Sequence, residues 1–440
     1  MTSWVKKLGT AAIATAAALS FAGCGGDSAK QGGTDADGNV TIRFMWWGSD
    51  ARAKKQQEVI AKFEEKNPGI KVQTETASYT DYITKLSTYG AANTLPDVMT
   101  LIDPFMFDYT DNGLILDLKT QKDVDLSTMP EDSYKIASGE NGEVYGVSLG
   151  NSGHGLVINK KVFEKYGVEV PDTDNWGWDD FEKAAKEISE KSNGEAVGFD
   201  TDTSGQSLNA MLRQHGQSRS QSEDGSKPLN MTDDSVVADY FTLMKRMADE
   251  GASLDPAKAQ ELQAAGSPQQ SLIAQDKEGM AVISMNQLGQ YESTAGHELT
   301  PVMWSGEAQT DTKGGWIKPG TFVSISAGTE HPEAAAKLVN FLVNDEDAIK
   351  IMGLDRGIPA NTELASTITD SLSDSDKRFV AWGEKMQKLM NQPITRQDSR
   401  VAAVDTVDLW NNSFQSVLFG RATPQDAAKS FYETLTKSIA

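Results

Sequence analysis

The run Val40-Thr-Ile-Arg-Phe-Met-Trp-Trp47, with Gly48-Ser-Asp50 and Ala51–Lys66 behind it, decides the fold class. β-Branched and aromatic residues dominate the run, which predicts a strand. Ala51–Lys66 places Val59, Ile60 and Phe63 on one helical stripe and stops at Asn67-Pro68-Gly69. Ile70-Lys-Val72 begins a second strand. The next helix carries Tyr82, Ile83, Leu86 and Tyr89 at i, i+1, i+4 and i+7. Pro96-Asp97 then introduces Val98-Met-Thr-Leu-Ile102, a strand of the buried type. Strands alternating with helices predict an α/β fold of mostly parallel sheets flanked by helices.

The alternation continues. Val144–Leu149 and Leu156-Val-Ile158 read as strands separated by Gly150-Asn-Ser-Gly-His-Gly155. Helices are predicted from Trp178 to about Lys191 and from Asp233 to Glu250, where Gly251 ends the second. Gly279–Met285 and Phe322–Ser326 read as strands, and Pro332–Asp355 as two short helices. Roughly the last 65 residues read as helical, with Phe379, Trp382, Met386, Trp410, Phe414, Leu418 and Phe431 as core candidates.

The amino terminus has a different logic. Met1-Thr-Ser-Trp-Val-Lys-Lys7 precedes the apolar run Leu8–Leu19, which is too short to span about 30 Å of hydrocarbon. Ser20-Phe-Ala-Gly-Cys24 follows, holding the single cysteine of the chain. This resembles a bacterial lipoprotein signal, departing from it at Phe21, where Leu is usual. The resemblance implies removal of residues 1–23 and lipidation of Cys24. Residues 24–38 are rich in Gly and Asp and read as a flexible tether. The net charge of −22 opposes binding to nucleic acid and to anionic lipid, so any membrane contact is expected through the lipid alone. With one cysteine the fold stands without disulfides. The 440-residue chain exceeds the roughly 250–300 residues at which one core stops growing, so two lobes are expected.

A set of pieces spans residues 40–440: Phe44–Arg52, Asn67–Val72, Leu95–Val98, Gly155–Phe163, Leu212–Gly216, Gly279–Met285, Gly314–Pro319, Ser324–Ala335 and Asp355–Pro359. Their order resembles the bacterial extracellular solute-binding proteins of family 1, which are maltodextrin-binding-like and deliver carbohydrates to ATP-driven importers. Asn175-Trp-Gly-Trp-Asp-Asp180 departs from the family's usual Thr-Trp-Asp-Glu. The resemblance implies two α/β lobes joined by crossover strands at a hinge, with ligand in the cleft. Residues 39–149 and 302–356 would form lobe one, and 150–301 and 357–440 lobe two. It further implies a monomer that binds an oligosaccharide, partners an ABC permease at the outer face of the cytoplasmic membrane, and catalyses nothing.

A sugar presents apolar C–H faces and a girdle of hydroxyls, which flat aromatics, amides, carboxylates and Arg recognise. Successive strand residues face opposite ways, so one of Trp46 and Trp47 is a candidate for the cleft; burial of both is the alternative. Asp103, at a strand end, fits a ligand contact or a helix N-cap equally. Asn151 and His154 lie in the Gly-rich crossover, where a solvated or core histidine is the competing reading. Arg213, near a helix end, could equally serve a salt bridge. Asn286 and Gln287 follow a strand directly, Trp316 sits in a turn-rich segment that hides aromatics poorly, and Arg356 lies near the last crossover.

Other chemistry is not signalled. Gly150-Asn-Ser-Gly-His154 lacks the final glycine of a nucleophile elbow, and the four histidines lack metal-ligand spacing. The runs beginning at Asp172 and Asp200 resemble calcium loops but put Lys183 and Met211 where a carboxylate belongs. No motif demands a cofactor. Two alternatives stay open: a secreted carbohydrate-acting enzyme, since 63 acidic residues leave room for a catalytic carboxylate pair, and a binding protein for a non-sugar solute such as a peptide.

Overall fold

The computed structural model describes residues 38–440 apart from Glu140, Gly266, Ser267 and Thr406. The expected leader, Cys24 and the tether up to residue 37 lie outside the described residues. β1 (Val40–Trp47) is followed by a helix, Asp50–Lys66. That helix begins where the Ser49 hydroxyl accepts the Arg52 N–H at 3.4 Å, and it buries Gln56, Val59, Ile60 and Phe63 along one stripe. It ends at Asn67, whose backbone N–H and side-chain amide both donate to the Phe63 carbonyl. β2 (Ile70–Ala77) and β3 (Val98–Leu101) lie parallel to β1 on either side, with helix Tyr79–Ala91 between them in the chain.

The remaining strands are β4 (Val147–Ser152), β5 (His154–Ile158), β6 (Val197–Phe199), β7 (Glu278–Ser284), β8 (Thr300–Val302) and β9 (Lys318–Ile325). They complete two sheets, ordered β2-β1-β3-β9-β4 in lobe one and β6-β7-β5-β8 in lobe two. The sheets are mixed rather than mostly parallel. β9 pairs antiparallel with β3 and β4, and β5 pairs antiparallel with β7 and β8. The chain leaves lobe one along β4 and returns along β9, so the returning strand runs opposite to its neighbours.

Strand alternation resolves the tryptophan pair. Ile42, Phe44 and Trp46 face one side of the lobe-one sheet with Val59, Phe63 and Phe341. Met45 faces the other side with Tyr82, Leu86 and Met106, and Trp47 packs at the edge of that cluster. Trp46, at 1 % exposure, is therefore core and not a ligand contact. In lobe two the sheet packs against helices from both chain segments, and Trp410, Phe414, Leu418 and Phe431 are all buried with Phe181, Tyr240 and Phe241. Phe379, Trp382 and Met386 bury in a neighbouring cluster with Ile283 and Met285.

Three passes of chain join the lobes as a ribbon. Asn151 and Ile358 exchange backbone hydrogen bonds of 2.7 and 2.8 Å, while Asn151 and Ser152 pair with Pro319 and Lys318. Only Gly153 separates β4 from β5, so the expected Gly-rich loop is extended backbone whose polar groups find partners in the ribbon. The passes lie so close that a Cβ at Gly357 (φ +106°) would stand 2.4 Å from the Asn151 carbonyl oxygen. One crossing is displaced from its expected place between residues 301 and 302. Trp304 buries in the lobe-two core, and Met303 and Ile317 bury beside Trp382, so the backbone stays with lobe two until β9 begins at Lys318 rather than at 302.

Candidate functional site

Between the two sheets lies a cavity of about 430 Å³. Lobe one supplies Trp47 and Arg52 from the end of β1 and the following helix, and Asp355 and Arg356 from the loop before the last crossing. The Arg52 Nε donates to Asp355 Oδ2 at 2.5 Å, and its Nη2 donates to the Asp355 carbonyl at 3.2 Å. The Arg356 guanidinium lies 4.8 Å from the Trp47 ring centroid, and its Nη2 donates to the Trp47 carbonyl at 2.8 Å. Burial, reinforced by neighbouring Arg52, pushes Arg356 down to about 9. It is still cationic at neutral pH.

Lobe two and the ribbon supply His154, Gln206, Asn286, Gln287 and Trp316. Glycine backbone sets the place of Trp316. The Glu307 carboxylate accepts the Gly314 and Gly315 N–H groups at 3.1 and 2.6 Å. A Cβ at Gly314 would stand 2.4 Å from the Ala210 carbonyl oxygen, and one at Gly153 2.4 Å from that of Trp316. The segment thus packs flat and leaves the indole on the cavity wall. His154 lies with its ring centroid 6.0 Å from that of Trp316, and Lys318 Nζ is 5.7 Å from it. Burial pushes the His154 imidazole below its ordinary value, so it is neutral at pH 7.

Asp103 sits in the first turn of helix Asp103–Asp111, whose N-cap is Ile102. Its Oδ2 accepts from Lys318 Nζ at 3.3 Å, while burial pushes the carboxyl upward against that cation. Asn286 Oδ1 accepts the Ser284 hydroxyl at 2.7 Å, and its Nδ2 donates across the cleft to the Asp355 carbonyl at 3.1 Å. A second cavity of about 160 Å³ continues from the first, sharing Asp103, Asn209, Trp316 and Lys318 and adding Arg213 and Arg219.

The cleft therefore gathers Trp47, Asp103, His154, Arg213, Asn286, Gln287, Trp316 and Arg356. Two expected residues fall outside it. Trp46 is in the core, and Asn151, whose backbone pairs with Ile358, lines a neighbouring cavity that meets the main one at Lys318 and Pro319. Sequence reasoning passed over Arg52, Lys318 and Asp355 in stretches it had otherwise singled out. It also missed Gln206 and Asn209, although Gln206, Asn209 and Arg213 form a polar stripe at i, i+3 and i+7 of helix Gln206–Gln214. That polar periodicity was the available signal.

Aromatic walls, side-chain amides and paired charges suit a polar, hydroxyl-rich small molecule. Among the described residues no cluster of His, Cys, Asp and Glu could hold a metal ion, and no helix is long and apolar enough to cross a membrane.

The family model described as bacterial extracellular solute-binding protein matches residues 58–379. The multiple sugar-binding protein of Streptococcus mutans is 29 % identical over 193 residues, covering 43 % of this chain and 42 % of that protein. The melibiose/raffinose/stachyose-binding protein of Bacillus subtilis is 27 % identical over 175 residues, covering 40 % and 39 %. The chain thus spans about two fifths of the length of these two curated relatives. A Listeria monocytogenes ABC substrate-binding protein, solved in complex with cycloalternan, superposes with a TM-score of 0.74 at 25 % identity, over 91 % of this chain and 98 % of that one. With two hinged α/β lobes, a cleft at their junction and a family match over most of its length, the chain belongs to the bacterial extracellular solute-binding proteins.

Proposed function

We propose that this protein captures an oligosaccharide in the interlobe cleft and delivers it to an ABC import permease, without catalysis. The observation that carries the reading is the pair Trp47 and Trp316 in one cavity with Asn286, Gln287 and charged side chains contributed by both lobes. Aromatic faces take the C–H surfaces of sugar rings, and the amides and charges take the hydroxyls. A cavity of about 430 Å³ falls within the roughly 300–1,000 Å³ usual for small-molecule sites. The sugar ligands named for the Streptococcus and Bacillus relatives and the bound cycloalternan of the Listeria protein support the same class.

Lipidation of Cys24 would hold a monomer at the outer face of the cytoplasmic membrane through residues 24–38, and closure of the lobes about the ribbon would trap the ligand. A thermal-shift screen against oligosaccharides, followed by calorimetric titration, tests the reading. A ligand bound only by the folded chain raises the melting temperature. Release of new reducing ends during incubation would contradict the non-catalytic role, and binding of peptides alone would contradict the sugar.

A further inference from the structure

The protein is strongly acidic, yet its cleft is not. Five cationic side chains line the two joined cavities, Arg52, Arg213, Arg219, Lys318 and Arg356, against three carboxylates, Asp103, Asp355 and Asp405. Each carboxylate is already taken: Asp355 by Arg52 at 2.5 Å, Asp405 by Arg219 at 2.7 Å and Asp103 by Lys318 at 3.3 Å. Two cations remain over. Arg213 is 8 % exposed and Arg356 7 % exposed, and among the described residues neither has a carboxylate partner within 4 Å. Among the described residues the only protein acceptors of their side chains are backbone carbonyls: Gln392 for Arg213 at 3.3 Å and Trp47 for Arg356 at 2.8 Å. The Nε of each is buried without a partner among the described residues. The Glu307 charge reaches Arg213 and the Asp355 charge reaches Arg356, but neither carboxylate bonds to these guanidinium groups: Glu307 accepts the Gly314 and Gly315 N–H groups and Asp355 is held by Arg52.

Burying a guanidinium with no directly bonded counter-ion is costly, and such groups concentrate where a ligand supplies the missing partner. We infer that the ligand is an anionic oligosaccharide, whose carboxylate or sulfate groups pair with Arg213 at one end of the cleft and Arg356 at the other. This rests on the reading of the cleft as an oligosaccharide site and narrows it to one class. The planar fork of Arg suits oxyanions that accept two parallel hydrogen bonds. Trp316, between the two ends, would take the face of an intervening ring.

The test is calorimetric titration of the full chain with oligogalacturonates, the same oligomers methyl-esterified, sulfated disaccharides, and neutral oligosaccharides of matched length. The inference expects an anionic oligomer to bind at least tenfold tighter than its neutral or esterified counterpart, about 1.4 kcal/mol. That preference should weaken as salt rises. The uronate and sulfate arms identify the source of the charge. Arg213→Gln should cost the acid at least tenfold more affinity than it costs the ester. The comparison of acid with ester on the unaltered chain needs no variant to fold. A neutral oligomer bound as tightly as any anionic one would overturn the inference and leave the oligosaccharide reading standing. No binding from either panel would overturn both.

Discussion

The cleft and the interior of lobe two handle the same residue type in opposite ways. In the cleft Asp103, Asp355 and Asp405 each hold a cation within 3.3 Å. Inside lobe two, Asp200 follows β6 and Glu278 opens β7, and the Asp200 N–H donates to Glu278 Oε1 at 2.7 Å. Glu278 is fully buried, and no cation pairs with either carboxyl among the described residues. Burial first, then the Asp202 charge, pushes Asp200 up to about 7; burial and the Asp200 charge push Glu278 well above the carboxylate range. In the cleft each acid meets a cation, whereas the lobe-two pair has none and its burial favours the protonated carboxyl. Acidity alone therefore says little about role; the partner decides it.

The largest expected effect tests the interior half of that contrast. The folded chain keeps a proton at Asp200 and Glu278 that the unfolded chain releases above about pH 4. Stability should therefore fall as pH rises from about 4 to about 7, at up to about 1.4 kcal/mol per unit for each proton retained. Above about 7 the Asp200 contribution levels off, while that of Glu278 continues for as long as its proton is held. Urea unfolding across this range measures the slope. Glu278→Gln should reduce it by half or more while leaving ligand affinity within twofold; an unchanged slope would mean that the pair holds no proton.

Next in size is the loss of an aromatic wall. Covering one face of Trp316 with a sugar ring removes roughly 60–80 Å² of apolar surface, worth about 1.5–2 kcal/mol at about 25 cal/mol/Å². Trp316→Ala should weaken binding at least tenfold with the fold intact, and titration giving an affinity within twofold of the natural chain would remove Trp316 from the site. The smallest effect concerns the cleft's charge balance. Asp103→Asn frees Lys318 and adds one positive charge, so an anionic oligosaccharide should bind about threefold tighter at low salt, within the range of a single ion pair. The gain should vanish at high salt and be absent for neutral sugars. A loss of affinity instead would make Asp103 itself a ligand contact.

Much of the scaffold was legible because periodicity encodes it. Val59, Ile60 and Phe63 sit on the stripe that their spacing predicted, and so do the aromatics of the last helices. The two faces of β1 separated Trp46 from Trp47 by alternation, although which face met the cleft needed the packed sheet. The site was less legible where a role depends on a distant partner. Arg52 acts through Asp355, three hundred residues on, and no local pattern announces it. Asn151 looked like a ligand residue because it is polar in a Gly-rich stretch, yet its backbone serves the ribbon. Residues 303–317 have no period at all, and only the burial of Met303, Trp304 and Ile317 shows that they stay with lobe two.

The insertion of β9 between β3 and β4 has a consequence for how the chain is made. During synthesis from the amino terminus, the centre of the lobe-one sheet is vacant until Ile325 emerges, when it can pair with Val98. Until then β3 and β4 each present an open edge of unpaired amides and carbonyls, a template for pairing with another chain. Lobe two waits longer still, since its core includes Trp410 and Phe431. Such end-loaded, long-range pairing folds slowly and exposes nascent chains to aggregation. A chain that stalls or is clipped before residue 318 cannot salvage one lobe and lose the other, because each waits on the final third of the polypeptide.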